Sequence, residues 1–358
     1  MSFDKAEVKE KANGQWDFVV SRLVPEMAGV VDEAVTRPSR HYRCHIHGGE
    51  KDMRFYRDFL ETGGAVCSCG TYPDGFALVG AANGWSFSET VDEVGKLVFG
   101  DSFEASKKPR IVRTHQQRVK DKKVEDAKRQ KRILSIWRNT QPFQGSLVEV
   151  YLRSRGLTLD LSKVKNLRFS PRLENWEEER AGKWKRTGEY PGLVACLHDV
   201  NGLPVTLHRI YLSQDGRNKA VIEDSEMEDA KKMCAAPSFR VLEGSAVRLC
   251  DTKEVLGVAE GIETALAVMQ LFGVPCWAMV NAYLMEEFIP PKGIKKVEIY
   301  ADKDRSERGI LSAKKLAGRL REMGIEAVIK LPKANIPEGK KGIDWLDVLC
   351  DVTDTVEQ

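Results

Sequence analysis

The sequence contains no run of 18 apolar residues, so no membrane-spanning helix is expected. Its opening residues, MSFDKAEVKEKANGQW, are polar and charged with no apolar stretch behind them. That pattern excludes a signal peptide and makes the cytoplasm the expected location. No G-x-x-x-x-G-K-[ST] motif occurs, which excludes a fused P-loop NTPase. Charge of one sign is also missing: 56 basic residues face 53 acidic ones, and a net charge of +3 names no partner by itself. Cysteine is sparse and uneven. Of eight, Cys44, Cys67 and Cys69 cluster near histidines, whereas Cys196, Cys234, Cys250, Cys276 and Cys350 stand alone. Without a secretion signal, the cluster reads as a metal site and the others as reduced packing thiols.

What is present is a chain of 358 residues, 42% hydrophobic, enough for two or three domains with real cores. Residues 1–35 read as a helical lead-in, with Trp16, Val19, Val20, Leu23 and Val24 at roughly helical spacing. Residues 36–100 are rich in Gly, Cys, His and aromatics, with short strand-like runs. Residues 101–140 form a basic, helical connector: from Lys107 to Arg132 there are twelve Lys or Arg and three Asp or Glu. Such a segment is a solvated linker, and its charge density also suits a polyanion. Residues 141–350 alternate strand-like and helix-like patterns, as in α/β domains, with a boundary near 250 and a short tail over 351–358.

Within the second region, Cys44 and His47 form a C-x-x-H pair, and Cys67 and Cys69 form a C-x-C pair after 19 intervening residues. Two close pairs of thiolate and imidazole donors beside glycines suit tetrahedral Zn²⁺. Four protein ligands make a structural site that does no chemistry. Gly48, Gly49 and Gly70 are read as turns of positive φ. His41 and His45 are nearby spare ligands. Phe55 and Phe59 are expected in the small core of this module, with Arg54 and Arg57 on its surface.

Three acidic sites lie in the last third. In VLGVAEGIETALAVMQLFG, a strand over 255–259 ends at Glu260, and Glu263 and Thr264 open a helix. In KKVEIYADKDRSERGILSAKK, a strand over 297–301 ends at Asp302 and Asp304, which point the same way if extended. In KLPKANIPEGKKGIDWLDVL, a strand near 326–331 leads through a loop to Asp344 and Asp347. Acids that each follow a strand in a βα series converge on one sheet edge, where ligands of open α/β sheets bind. Hard oxygen ligands suit Mg²⁺, and such a pocket serves phosphoryl or nucleotidyl transfer. Alone, D-x-D is a common cap; the strand-placed Glu260 upstream makes the pattern more specific.

The AEGIETALA, IYADKD and KGIDWLD segments resemble the Toprim domain shared by DnaG-type primases, topoisomerases and some nucleases. CGTYPDGFALVGAANGW resembles the zinc ribbon of plasmid and conjugative-element (TraC-like) primases, although C-x-C is tighter than the usual spacing. SLVEVYLRSRGL, NLRFSP and VTLHRIYLSQDG resemble the first half of the catalytic core of those primases. The resemblance touches most of residues 41–350. It implies an α/β chain with a zinc ribbon (36–100) and a primase catalytic core made of an amino-terminal subdomain (141–250) and a Toprim, Rossmann-like βα domain (251–350). It further implies a DNA primase that makes short RNA primers on single-stranded DNA from ribonucleoside triphosphates. Glu260 would be the acid near the metal and a candidate general base. Asp302 and Asp304 would hold Mg²⁺ or Mn²⁺, with Asp344 in support, and Cys44, His47, Cys67 and Cys69 would hold zinc. Template and nucleotide would meet Arg153, Arg155, His208, Arg209, Lys219, Lys231 and Lys232. Of these, Arg153 and Arg155 also read as helix-end residues, and His208 and Arg209 as ordinary strand residues. The competing readings are a Toprim nuclease and a non-catalytic zinc-dependent adaptor that binds single-stranded DNA. A replicative helicase would be a separate partner.

Overall fold

The structure is a computed structural model describing residues 3–38, 40–100, 115–180, 183–222 and 230–356. Residues 101–114 of the basic connector, and 357–358 of the tail, lie outside the described residues. The chain divides into two compact units: residues 1–118 with 176–186, and residues 119–175 with 187–358.

In the first unit the lead-in is three short helices, α1 (Lys5–Ala12), α2 (Trp16–Leu23) and α3 (Ala28–Thr36). Asp4 caps α1, its carboxylate accepting from the N–H groups of Ala6 and Glu7. The ribbon that follows holds β1 (Arg54–Phe55), α4 (Phe59–Thr62), β2 (Ala65–Cys67) and β3 (Gly70–Tyr72), with the strands antiparallel in the order β1-β2-β3. Residues 75–98, expected as part of a strand-like region, are two helices, α5 (Gly75–Asn83) and α6 (Phe87–Val98). The run FALVGAA has little polar face because Phe76, Leu78, Val79 and Gly80 are all buried, so helical periodicity is invisible there. Ser86 and Glu89 close a capping box on α6. One core joins the lead-in to the ribbon: Trp16, Val19, Val20 and Met27 cluster with Phe55, Phe59 and Phe76. The contact is close, since a Cβ on Gly75 would lie 2.0 Å from Trp16.

The second unit begins with helix α7 (His115–Arg138), pinned where Asp126 accepts from the N–H and hydroxyl of Ser238. Helix α8 (Leu147–Ser154) follows. The strands are β4 (Leu167–Arg180), β5 (Lys183–His198), β6 (Pro204–Tyr211), β7 (Lys231–Met233), β8 (Ala246–Val247), β9 (Val255–Ala259), β10 (Cys276–Ala278), β11 (Lys296–Tyr300), β12 (Lys303–Asp304), β13 (Glu326–Lys330) and β14 (Gly342–Ile343). Interleaved are α9 (Ile262–Phe272), α10 (Ala282–Glu286), α11 (Arg308–Glu322) and α12 (Trp345–Val356). The main sheet runs β13-β11-β9-β10-β8-β5-β6-β7, with β4 on β5. Its β13, β11, β9 and β10 are parallel, and its β8, β5, β6 and β7 are antiparallel. The parallel half is buried on both faces, as βα crossovers require, so β9 and β11 read as almost continuous apolar runs.

Candidate metal and nucleotide site

In the first unit, ligand atoms of Cys44, His47, Cys67 and Cys69 all lie within 4.8 Å of one another. A tetrahedral zinc with Zn–S of about 2.3 Å and Zn–N of about 2.0–2.1 Å sets S···S edges near ~3.8 Å and S···N edges near ~3.6 Å. Here Cys44 Sγ and Cys69 Sγ are 3.8 Å apart, and Cys67 Sγ is 3.7 Å from His47 Nδ1. The donor set and these two edges fit a tetrahedral zinc. The other imidazole nitrogen, Nε2, is 3.0 Å from Asp52 Oδ2, the carboxylate partner that orients metal-bound histidines. Gly49 is required for that pair, because a Cβ there would lie 1.9 Å from Asp52 Oδ2. Of the three glycines read as turns of positive φ, only Gly48 has one, at 84°. Gly49 and Gly70 adopt ordinary backbone. Burial, reinforced by Cys44 and Cys69, pushes the Cys67 thiol up to about 12, so a thiolate here needs a cation beside it. His41 instead faces the carbonyl of Lys51. Phe55 and Phe59 are both buried, stacked edge to face at 4.7 Å, while Arg54 and Arg57 are exposed, as expected.

In the second unit, Glu260 follows β9 and Asp302 follows β11. These strands are adjacent and parallel, with Ala259 opposite Tyr300. Their carboxyl ends therefore deliver both acids to one edge of the sheet. Burial, then the charges of Glu260, Asp344 and Asp304, push the Asp302 carboxyl up to about 8. Its Oδ1 is buried with no hydrogen-bond partner among the described residues. Burial also raises Glu260, against the pull of Lys231 and Arg308. Asp304 is different. Burial opposes its ionisation, yet Ser306 and the N–H groups at the start of α11 hold it low. Its Oδ1 accepts from Arg308 N at 3.1 Å and its Oδ2 from Gly309 N at 2.8 Å, a helix-capping role as well as an acid at the site. Gly309 allows this approach: a Cβ there would lie 2.5 Å from the Asp302 carbonyl oxygen. Asp344 caps α12, its Oδ1 accepting from the N–H groups of Leu346 and Asp347, while Thr264 Oγ1 donates to its Oδ2 at 3.4 Å. Val280, at φ 61°, donates its N–H to the Glu260 carbonyl. That backbone is costly for a β-branched residue and marks strain beside the acids.

Basic residues meet these acids from the antiparallel half of the sheet. Lys231 on β7 bears on both Glu260 and Asp302. Lys219 and Lys231 lie 3.5 and 3.8 Å from Oε1 of Glu263, a residue the sequence pattern marked only as a helix opener. Glu263 is 4% exposed and also accepts from the Tyr151 hydroxyl at 2.8 Å. Its own burial works against ionisation, but Lys231 and Lys219 hold its carboxyl down to about 2. Burial lowers Lys219 despite Glu263. The Lys219 and Lys231 side chains each keep a third or more of their surface in solvent, which leaves the charged triplet as the ground state. His208 is buried there too: burial, then Lys231, lowers its imidazole to about 4, leaving it neutral.

Three expected site residues sit elsewhere. Arg153 donates to the carbonyls of Leu157 and Leu159 and pairs with Glu149, which closes the end of α8. Arg209 donates to the Tyr211 hydroxyl, and Lys232 pairs with Arg209 across β6 and β7. Neighbouring residues of a strand face opposite sides, so Arg209 and Lys232 lie on the sheet face away from His208 and Lys231. Arg155 contributes a charge felt at both Lys219 and Tyr151.

Residues 255–354 match the family model of the Toprim domain. This part of the chain is a Toprim domain. Within that segment Glu260 follows β9, Asp302 and Asp304 follow the neighbouring β11, and Asp344 precedes α12. Residues 127–249, immediately upstream of the Toprim domain, match a model described as a domain of unknown function (DUF7146). No curated protein matches the chain. Among solved structures, the Aquifex aeolicus primase (zinc-binding and RNA polymerase domains) is similar at 15% identity. That alignment covers 95% of this chain and 83% of that one, with a TM-score of 0.41. A DNA primase domain from Pseudomonas aeruginosa is similar at 14% identity over 57% of this chain and 68% of that one, with a TM-score of 0.37. The primase fragment of the bacteriophage T7 primase-helicase protein is similar at 16% identity over 49% and 66%, with a TM-score of 0.29. Among the described residues no helix is long and apolar enough to cross a membrane.

Proposed function

We propose that this protein is a DNA primase, a nucleotidyltransferase that builds short RNA primers on single-stranded DNA from ribonucleoside triphosphates. One observation carries the reading: in a Toprim domain, the buried and unpartnered oxygen of Asp302 sits among Glu260, Asp304 and Asp344, with Lys231 beside it. Glu260, Asp302 and Asp304 would hold Mg²⁺ or Mn²⁺, with Asp344 in support. Among the described residues these oxygens are not drawn as close as the thiolate cluster, which suits a cation that keeps several waters and bridges to phosphate. When bound, such a cation activates the attacking hydroxyl and neutralises charge on the departing pyrophosphate.

The chain's own residues do the rest. Glu260, raised by burial, would receive the proton of the primer 3′ hydroxyl. Lys219, Lys231 and Arg155 offer positive charge to the triphosphate, and neutral His208 packs behind them without adding to it. Arg153, Arg209 and Lys232 fall outside this pocket. Cys44, His47, Cys67 and Cys69 would hold a structural Zn²⁺ whose module helps choose where priming starts. The likeness of that segment to ribbons of plasmid and conjugative-element primases supports a mobile genetic element as the replicon, with any helicase supplied separately in the cytoplasm.

The test is direct. The protein is incubated with single-stranded DNA, Mg²⁺ and labelled ribonucleotides. Oligoribonucleotides that depend on template support the proposal. Shortened DNA would make the protein a nuclease, and bound but unchanged DNA an adaptor.

A further inference from the structure

Two ammonium groups close to one point repel each other, and here they come from different parts of the fold. Lys219 sits in the return after β6, bridged to Leu212, and Lys231 lies on β7. Both approach a single atom, Oε1 of Glu263 on α9, which also accepts a hydrogen bond from the hydroxyl of Tyr151 on α8. Around the same point stand the buried imidazole of His208, the guanidinium of Arg155 and, beyond Lys231, the carboxylates of Glu260 and Asp302. The second oxygen, Oε2, is buried with no hydrogen-bond partner among the described residues. Oε1 of Glu263 therefore gathers the Tyr151 hydroxyl and two lysines whose side chains keep 39% and 34% of their surface in solvent.

We infer that Glu263 is a positioning residue for the nucleotide: it gathers Lys219 and Lys231, with Tyr151 orienting it, so that both ammonium groups meet the triphosphate of an incoming ribonucleotide. It touches no reacting atom. Its effect is to hold two like charges at one place that their mutual repulsion would otherwise spread apart. The inference rests on the proposed function and adds a residue to it.

ATP, with Mg²⁺ present, is the probe. ATP affinity is measured by calorimetry, and KM and kcat by primer synthesis, on the full chain. Glu263→Gln keeps the shape and removes the charge. It should raise the ATP Kd and KM at least about tenfold, the loss of one good charge contact, and leave kcat within about twofold. Glu263→Asp should recover most of the affinity. In a Lys219→Met background the same Gln change should cost much less, because coupled residues are not additive. A folded Glu263→Gln protein that binds ATP like the parent overturns the inference. So do Gln and Met effects that simply multiply. Should Glu263→Gln not fold, Tyr151→Phe carries the test: unchanged ATP affinity there overturns it equally. A parent that binds ATP yet makes no oligoribonucleotide would end the primase reading while leaving the Glu263 comparison intact. A parent that does not bind ATP would end both.

Discussion

Replacing Asp302 by Asn should make the protein more stable and less active. In the absence of a divalent cation the carboxyl of Asp302, which ordinarily titrates at 3.8, is pushed up to about 8 by burial and by Glu260, Asp344 and Asp304. The folded state therefore binds a proton that the unfolded chain gives up. The stability tied to that proton is fully present below 3.8 and is lost as the pH rises through about 8. At pH 7 the unfolded chain gains about 1.4 kcal/mol for each pH unit above its own pKa, an upper bound near ~4 kcal/mol. Partial solvent access and local relaxation reduce this to ~2 kcal/mol. Asp302→Asn cannot ionise, so it recovers that amount. The metal-free variant should then melt about 4–8 °C above the parent at pH 8. Mg²⁺ should raise the melting temperature of the parent and leave the variant nearly unmoved. Primer synthesis should fall at least about a hundredfold in the variant. Scanning calorimetry at pH 5, 7 and 8, with and without Mg²⁺, reads all of this except activity. A variant less stable than the parent at pH 8, or one equally stabilised by Mg²⁺, would refute a crowded acid pocket at Asp302.

Four further outcomes are expected. Chelation should remove one zinc per chain, read with a metal-binding dye, and melt the first unit at lower temperature. Asp52→Ala should weaken zinc retention about 10–100-fold by freeing the His47 ring. His208 is held neutral at about 4 against an ordinary 6.5, so its stability contribution is present above 6.5 and lost as pH falls towards 4. A His208→Phe variant should therefore show a flatter acid limb, by up to about 3 kcal/mol between those limits, in denaturant titrations at stepped pH. Gly75→Ala, whose new methyl would lie 2.0 Å from Trp16, should destabilise the first unit. The expected loss is about 1–3 kcal/mol, seen as a lower urea midpoint with Trp fluorescence as the probe.

Much of the site was legible before folding. The four zinc donors could be chosen because Cys and His pairs of tight local spacing have few other reasons to occur together, and the close pairs Cys44/His47 and Cys67/Cys69 are brought together by the short β1-β2-β3 ribbon. Glu260, Asp302 and Asp304 could be placed because apolar runs of five residues ending in an acid read as parallel strands whose carboxyl ends share an edge. That inference depends only on local pattern and on the handedness of βα units.

What the chain could not disclose was which side chains share a face. His208 and Arg209 are neighbours of similar appearance in one strand. The pairing of β6 with β7 sends His208 towards Lys231 and the acids, and sends Arg209 and Lys232 to the other side of the sheet. A shift of one residue in that register would have exchanged them. Glu263 was hidden for the same reason: in the first turn of α9 it looks like an ordinary helix-opening acid. Its partners Tyr151 and Lys219 are supplied by α8 and the return after β6, long-range contacts that only the closed core brings within reach.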